Sequence, residues 1–373
     1  MSTFVRHTKR KTTMIKISTE PIGSVPRSQK LLDAMQKNAA GELSDTDFNN
    51  ILIDETKLVI YKFHDTGSTI ITDGEQCKPS FVTYPLHGLK NLSNDGAVIP
   101  FADGHTRQLP KLVSGPFKYN NYAAQYLNFA KQITNSPLKQ AVISASAISL
   151  IYPAEGIADY PREQFIADLI NEAERDIRMC LEAGAANVQI DFTEARLALK
   201  LDPSGGVLNA FIDLNNQVID RFSDADKKRI GVHSCPGGDH DSTHSADIDY
   251  ADLLPSLFNL HATNFYLEFA AEADKIHVLE LIRKNIKPNQ KVFIGVTNVI
   301  SPKIETPEEV RDTILLAAEF IPVEQLGTTD DCGFSPFADD RSTAQDIAFA
   351  KIAARIEGTK MAEAIMRLPH ASN

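Results

Sequence analysis

His233 and Cys235 close the short segment IGVHSC. In an extended chain, residues i and i+2 point to the same side, so an imidazole and a thiolate at this spacing can grip one ion together. Cys332 ends a second run, QLGTTDDC, and Glu268 falls at the end of a third, NFYLEF. One His, two Cys and one carboxylate form a set suited to tetrahedral Zn²⁺. A lone H-x-C is most simply a buried Cys beside a hydrogen-bonded His. It is the recurrence of ligand types at three separate segment ends that points to a metal. Glu272, close behind Glu268, is the rival carboxylate.

Such a site would activate a thiol. A free thiol is mostly protonated at neutral pH, but coordination to Zn²⁺ removes the proton while the sulfur stays nucleophilic. Zinc is redox-silent and an exchangeable position on it can take a substrate thiolate, while two protein thiolates keep the metal electron-rich. His240 and His244 are spaced like two ligands on a helix, yet the surrounding PGGDHDSTHSADIDY is polar and loop-like. They read as solvated or substrate-facing histidines. Cys77 reads as a free loop thiol, and Cys180, in RDIRMCLEAG, as a packing residue.

The elements that must position these residues are legible as alternating helices and short apolar runs. Helical periodicity begins at Ser28, Asp45, Pro161 and Thr306, each with a capping residue or an early Pro, and the first and third helices close with Gly. Eight strand-length runs lie at 17–24, 69–75, 141–145, 187–192, 230–235, 264–269, 292–296 and 325–332. Apolar strands separated by helices imply a parallel sheet covered on both faces, and most economically an α/β fold closed as a single (β/α)8 TIM barrel. An open doubly wound sheet is the rival, but no G-x-G-x-x-G or phosphate-cradling loop supports it. Residues 76–122, rich in Pro, Gly and Asn, are expected to form a long insertion after strand two, with a β-hairpin over the barrel mouth. In such barrels the active site forms at the C-terminal ends of the strands, where Ser24, Glu75, Asp191, His233, Cys235, Glu268 and Cys332 would converge.

The chain has 373 residues, of which 43% are hydrophobic and 23% charged, as in an ordinary globular protein. The barrel is expected over 14–373, after a flexible basic arm at 1–13 that lacks the apolar stretch of a secretory signal. A net charge of −11 repels phosphate backbones and anionic lipid, which argues against nucleic acid or membrane partners. Four cysteines in so long a chain suggest a reducing compartment, the cytoplasm.

The segments PIGSVPRS, TDGEQ, NVQIDF, GVHSC, FYLEF, VTNVISP and DDCGF, in this order, resemble the catalytic C-terminal half of cobalamin-independent methionine synthase, from about Thr19 to beyond Cys332. The resemblance implies a zinc-dependent methyltransferase that converts homocysteine to methionine, of the 5-methyltetrahydropteroyltriglutamate-homocysteine S-methyltransferase type. It implies zinc on His233, Cys235, Glu268 and Cys332. The homocysteine site would be formed by Ile22, Gly23, Ser24, Glu75 and Asp191, with Glu75 and Asp191 as catalytic carboxylates suited to the substrate ammonium. Asn298 and the Ser301-Pro302 turn correspond to a family loop near the substrate, and Arg27 is either a partner for the substrate carboxylate or an exposed charge.

The departures concern the methyl donor. The family's full-length enzymes have a second barrel that helps hold the polyglutamyl folate, and this chain is long enough for one barrel. The family's G-P segment and the Trp that follows it at the folate site are replaced by Ser144-Ala145 and SLIYP, and the chain has no Trp, leaving Tyr152 as the local aromatic. Q-I-D-E-P has become QIDFTEARL, and the His before Gly-Glu is Asp73. Methyltetrahydrofolate is therefore expected to be a poor donor, with a methylated corrinoid protein or another small methyl compound in its place. Two further readings are an alkyltransferase of the epoxyalkane:coenzyme M type, acting on another thiol, and a non-catalytic zinc- or thiol-binding protein.

Overall fold

The computed structural model describes residues 16–367, and the expected basic arm at 1–13 lies outside them. Helices form where caps and periodicity agree. Ser28 accepts from the Leu31 N–H ahead of Gln29–Ala39, and Ser44 from Asp47 ahead of Asp45–Asp65. Thr306 and Glu309 form a capping box at the start of Pro307–Ala318. Arg162–Glu182 follows Pro161 and ends before Gly184, whose φ of 85° is a left-handed conformation that glycine adopts without a Cβ clash.

Seven strands form one parallel sheet in the order Ser18–Thr19, Leu326–Thr329, Lys291–Gly295, Asn264–Leu267, Ile230–Ser234, Asn187–Asp191, Lys139–Ile143. The fold is therefore α/β with a TIM-barrel-like sheet. Val188, Ile190, Val232, Phe265, Val292 and Ile294 are buried, as expected of strands covered on both faces.

The run at 69–75 departs from its predicted strand. It makes an isolated parallel bridge from Ile71 to Leu138, with the Ile71 N–H donating to Pro137 and its carbonyl accepting from Lys139. Beyond the bridge the backbone turns, with φ of 68° at Gly74 and 55° at Glu75. A Cβ on Gly74 would lie 2.6 Å from Val59 and 2.7 Å from Val25, so glycine is needed for the turn that presents Glu75. The β-branched residues of TIITDGE fit a strand, but close packing of the turn on two other segments decides the local structure.

Within 76–122, Val98–Pro100 pairs antiparallel with Thr106–Gln108, and Leu92–Ser93 with Lys111–Leu112. The Ala102 N–H donates to Thr243, tying this region to the loop beyond Cys235. Register in the main sheet sets Asp191 beside His233, and His233 beside Tyr266. Polar residues at the ends of separate strands are thereby brought level.

Candidate active site

His233, Cys235 and Cys332 converge as a buried cluster whose ligand atoms all lie within 4.8 Å of one another. The two Sγ atoms are 3.2 Å apart, and the Gly237 N–H donates to Cys235 Sγ at 3.4 Å. His233 Nδ1 lies 3.1 Å from the Tyr266 carbonyl oxygen, which can only accept, so Nδ1 carries the hydrogen. Nε2 is left as a buried lone pair without a partner. Fixing one imidazole nitrogen on a carbonyl to free the other is how metal-ligating histidines are oriented. The hydrogen bond from Cys235 and the neighbouring His233 draw the Cys332 thiol well below its usual pKa against the effect of burial. The same shared proton, together with burial, holds Cys235 well above its own. A divalent cation would resolve this conflict, and the donor set fits one.

Glu268 is buried at its strand end but lies outside this cluster. Its carboxylate accepts from Arg196 Nη2 at 2.9 Å, and the same nitrogen reaches Glu272 at 2.6 Å. Arg196 is itself buried and stacks on Tyr250, whose hydroxyl donates to the Glu268 carbonyl oxygen. Both candidate carboxylates are thus held on one guanidinium. Asp331, beside Cys332, accepts from the N–H groups of Phe269, Ala270 and Ala271, locking the Cys332 and Glu268 strand ends together.

A narrow cleft of about 20 Å³ runs from this cluster. Its walls include Ile22, Gly23, Ser24, Glu75 and Asp191 together with His233 and Cys332. The residues expected at a thiol amino-acid site therefore share one cleft with His233 and Cys332 of the cluster. Glu75 and Asp191 are both buried. Asp191 accepts from Gln189 at 2.7 Å, and burial followed by the charge of Glu75 pushes its carboxyl up to about 6. Glu75 accepts from Lys78 Nζ at 2.7 Å. Burial works against the Lys78 charge, but Glu75 outweighs it and holds the ammonium above its usual range. Arg27 is buried rather than exposed, and donates to the carbonyl oxygens of Glu75 and Lys78, fixing the turn from behind.

A larger cavity of about 310 Å³ shares Phe81, Thr193 and Gly238 with the cleft. His244, expected to be solvated or substrate-facing, is buried in its wall, and burial lowers its imidazole to about 4. His240 stays exposed. Glu194 also lines this cavity, its Oε1 accepting from Ser144 and Ser146 and its Oε2 unpartnered. Burial raises its carboxyl to about 7. Tyr152 lines neither space. Its ring stacks on Phe165 and its hydroxyl donates to Tyr160. Cys77 is half-buried near Thr56, and Cys180 is fully buried.

Comparison with known proteins gives a consistent picture. Residues 17–355 match the family model described as "Cobalamin-independent synthase, Catalytic domain". A methionine synthase of Saccharolobus islandicus is 24% identical over 345 residues, covering 92% of this chain and 94% of that protein. One of Sulfurisphaera tokodaii is 22% identical, covering 92% of each. Among solved structures, a B12-independent methionine synthase of Shewanella sp. W3-18-1, in complex with selenomethionine, superposes with a TM-score of 0.73 at 20% identity, covering 94% of this chain and 98% of that one. A Listeria monocytogenes structure, described as a putative vitamin-B12 independent methionine synthase, gives 0.70 at 20% identity, covering 93% and 98%.

Proposed function

Because the chain belongs to the cobalamin-independent synthase catalytic-domain family, we propose that it is a zinc-dependent methyltransferase that moves a methyl group onto homocysteine to give methionine. The observation that carries this is the shared cleft, in which a His-Cys-Cys cluster suited to a soft-tolerant cation faces two buried carboxylates. A corrinoid protein as donor finds no support, because the family is cobalamin-independent. The methionine synthases among the relatives, and selenomethionine in the Shewanella structure, agree with the proposed product.

His233, Cys235 and Cys332 would hold the zinc, with Glu268 as the fourth ligand once its carboxylate leaves Arg196. When bound, zinc supplies Lewis acidity that keeps the substrate sulfur deprotonated and nucleophilic at neutral pH. Glu75 and Asp191 bind the substrate ammonium by charge-assisted hydrogen bonds. Lys78 and Arg27 fix the Glu75 turn, so the amino group is held at a set distance from the sulfur. The Tyr266 carbonyl fixes His233 Nδ1 and would leave Nε2 free to hold the metal. The buried walls exclude water from a reaction in which hydroxide would compete with the thiolate. Four cysteines without a disulfide suit the cytoplasm.

The test is formation of methionine from homocysteine by zinc-loaded protein, offered a panel of methyl donors. Absence of product with every donor, from protein that binds zinc stoichiometrically, overturns the proposal.

A further inference from the structure

The hairpin that joins Val98–Pro100 to Thr106–Gln108 is fastened to the loops that follow Cys235 and Cys332. Its tip sits on the short antiparallel pair Gly238–Asp239 and Ser242–Thr243. The Ala102 N–H donates to the Thr243 carbonyl oxygen at 2.9 Å, and the Asp103 N–H to Ser242 Oγ at 3.2 Å. Behind the tip, Arg107 reaches two carboxylates on different loops. Its Nε and Nη2 donate to Asp239 at 2.5 and 3.1 Å, and its Nη1 and Nη2 donate to Asp339 at 2.9 Å each. The guanidinium also lies over the Phe337 ring at 4.2 Å, a second hold on the segment beyond Cys332. Two-pronged pairs of this kind fix direction as well as distance.

The two arms differ in setting. The Asp239 side chain is fully buried, whereas that of Asp339 is 66% exposed, so the Asp239 arm carries more of the effect. His105 Nε2, also from the hairpin, stands 3.0 Å from Asp239 Oδ2. Asp239 directly follows Gly237 and Gly238, and these two residues face the sulfurs. The Gly237 N–H donates to Cys235 Sγ at 3.4 Å. A Cβ on Gly238 would lie 3.9 Å from Cys332 Sγ, and the Gly238 N–H favours the thiolate there. An N–H aimed at a thiolate shares its negative charge, and so tunes how firmly that sulfur holds a cation. Arg107 fixes the residue next to both donors.

We infer that Arg107 is a positioning residue for the metal site, acting through Asp239 on the Gly237 and Gly238 N–H groups that face Cys235 and Cys332. This rests on the zinc-dependent methyltransferase reading above and adds to it a part played by the hairpin. A role confined to neutralising the buried carboxylate of Asp239 would be purely structural. The two roles separate when both charges are removed together.

Arg107→Gln alone leaves a buried carboxylate without its main partner and should lower the melting temperature. The double variant Arg107→Gln/Asp239→Asn removes that burden, so its melting temperature should return close to that of the unmodified protein. Its zinc affinity, measured by competition with a chromogenic chelator, should still be about 10-fold lower, the lower end of what loss of an outer-shell partner costs. With cobalt(II) in place of zinc, the thiolate-to-metal charge-transfer band should shift, a signature that mere loss of stability would not move. Arg107→Lys keeps a charge beside Asp239 but loses the fork, and should shift the same band in the same direction by less. Affinity and band unchanged in these variants, where circular dichroism shows them folded, overturn the inference and leave the methyltransferase reading intact. Unmodified protein that takes up neither zinc nor cobalt overturns that reading, and this inference falls with it.

Discussion

Cys235 and Cys332 are 97 residues apart in sequence, and their sulfurs meet at 3.2 Å. Neither lies in a disulfide. Two thiols this close, beside an imidazole whose Nε2 has no partner, form an arrangement that a bound cation satisfies. One tightly held zinc per chain is the expected outcome of elemental analysis on purified protein. Cys235→Ser and Cys332→Ser should each lose it, because an alcohol deprotonates less readily and binds this ion more weakly. Protein that contains no zinc and takes none up would rule the assignment out.

The second prediction concerns the amino end of the substrate. Glu75→Gln and Asp191→Asn remove charges that would meet the amino end of homocysteine, the part remote from its sulfur, so they should raise KM for homocysteine and leave zinc content unchanged. A charge-assisted hydrogen bond contributes roughly 1.5–3 kcal/mol, so about a 10- to 100-fold rise is expected. An amine-free thiol that serves as well as homocysteine in the unmodified protein would contradict this and favour the alkyltransferase reading on another thiol.

Residues that end apolar runs were the legible part of the site. His233, Cys235 and Cys332 fall at the ends of strand-length runs, and the same logic located Glu75 and Asp191 in one cleft with His233 and Cys332. The supporting charges were not legible. Lys78 and Arg196 look like surface residues in sequence, since their burial depends on partners that sequence does not pair with them. Arg196 meets Glu268 and Glu272 across 72 and 76 residues. Glu194 sits in a segment where polarity suggests a loop, yet Ser144 and Ser146 donate to it from another strand end. His244 is buried in a cavity wall, which sets aside the solvated alternative and keeps the substrate-facing one. Gly237 leaves room for its ring, since a Cβ there would lie 1.8 Å from His244 Nε2.

If zinc is held at this cluster, Glu268 and Glu272 are the two candidates for a fourth ligand, and burial separates them. The Glu268 side chain is 7% exposed and that of Glu272 22%. Glu268, the more buried of the two, adds to the field at Cys235. Glu268→Gln should therefore weaken zinc retention about 10- to 100-fold in competition with a chelator, and Glu272→Gln should not. The reverse pattern would show that Glu272 is the ligand.

Glu194 makes stability depend on pH. Burial raises its carboxyl from the usual 4.5 to about 7, so the folded state holds this proton more tightly than the unfolded chain. Its contribution to stability is then greatest below about 4.5, falls as pH rises to about 7, and is flat above that. The fall amounts to about 3 kcal/mol by linkage. Glu194→Gln keeps an acceptor for Ser144 and Ser146 but cannot ionise. It should melt higher than the unmodified protein at pH 8 and much the same at pH 4, as measured by scanning calorimetry. Equal melting temperatures at both pH values would remove the titration from Glu194.

Methyltetrahydrofolate should be a poor donor, even as a polyglutamate. Its carboxylate tail needs free cations, and Arg107 in the larger cavity is already held by Asp239 and Asp339. Its flat ring system needs stacking, and the chain has no Trp, while Tyr152 is committed to Phe165 in the core. The phenylalanines of the cavity supply aromatic faces but no charge for the tail. One missing charge-assisted contact costs about 10- to 100-fold in kcat/KM, and the glutamate tail has several carboxylates to satisfy. Steady-state rates with methyltetrahydrofolate should therefore fall at least about 100-fold below those with a small methyl donor that carries no glutamate tail. Robust methionine formation by the protein alone at micromolar methyltetrahydrofolate would show that segment 79–109 and its aromatic residues bind folate in a way their charges do not suggest.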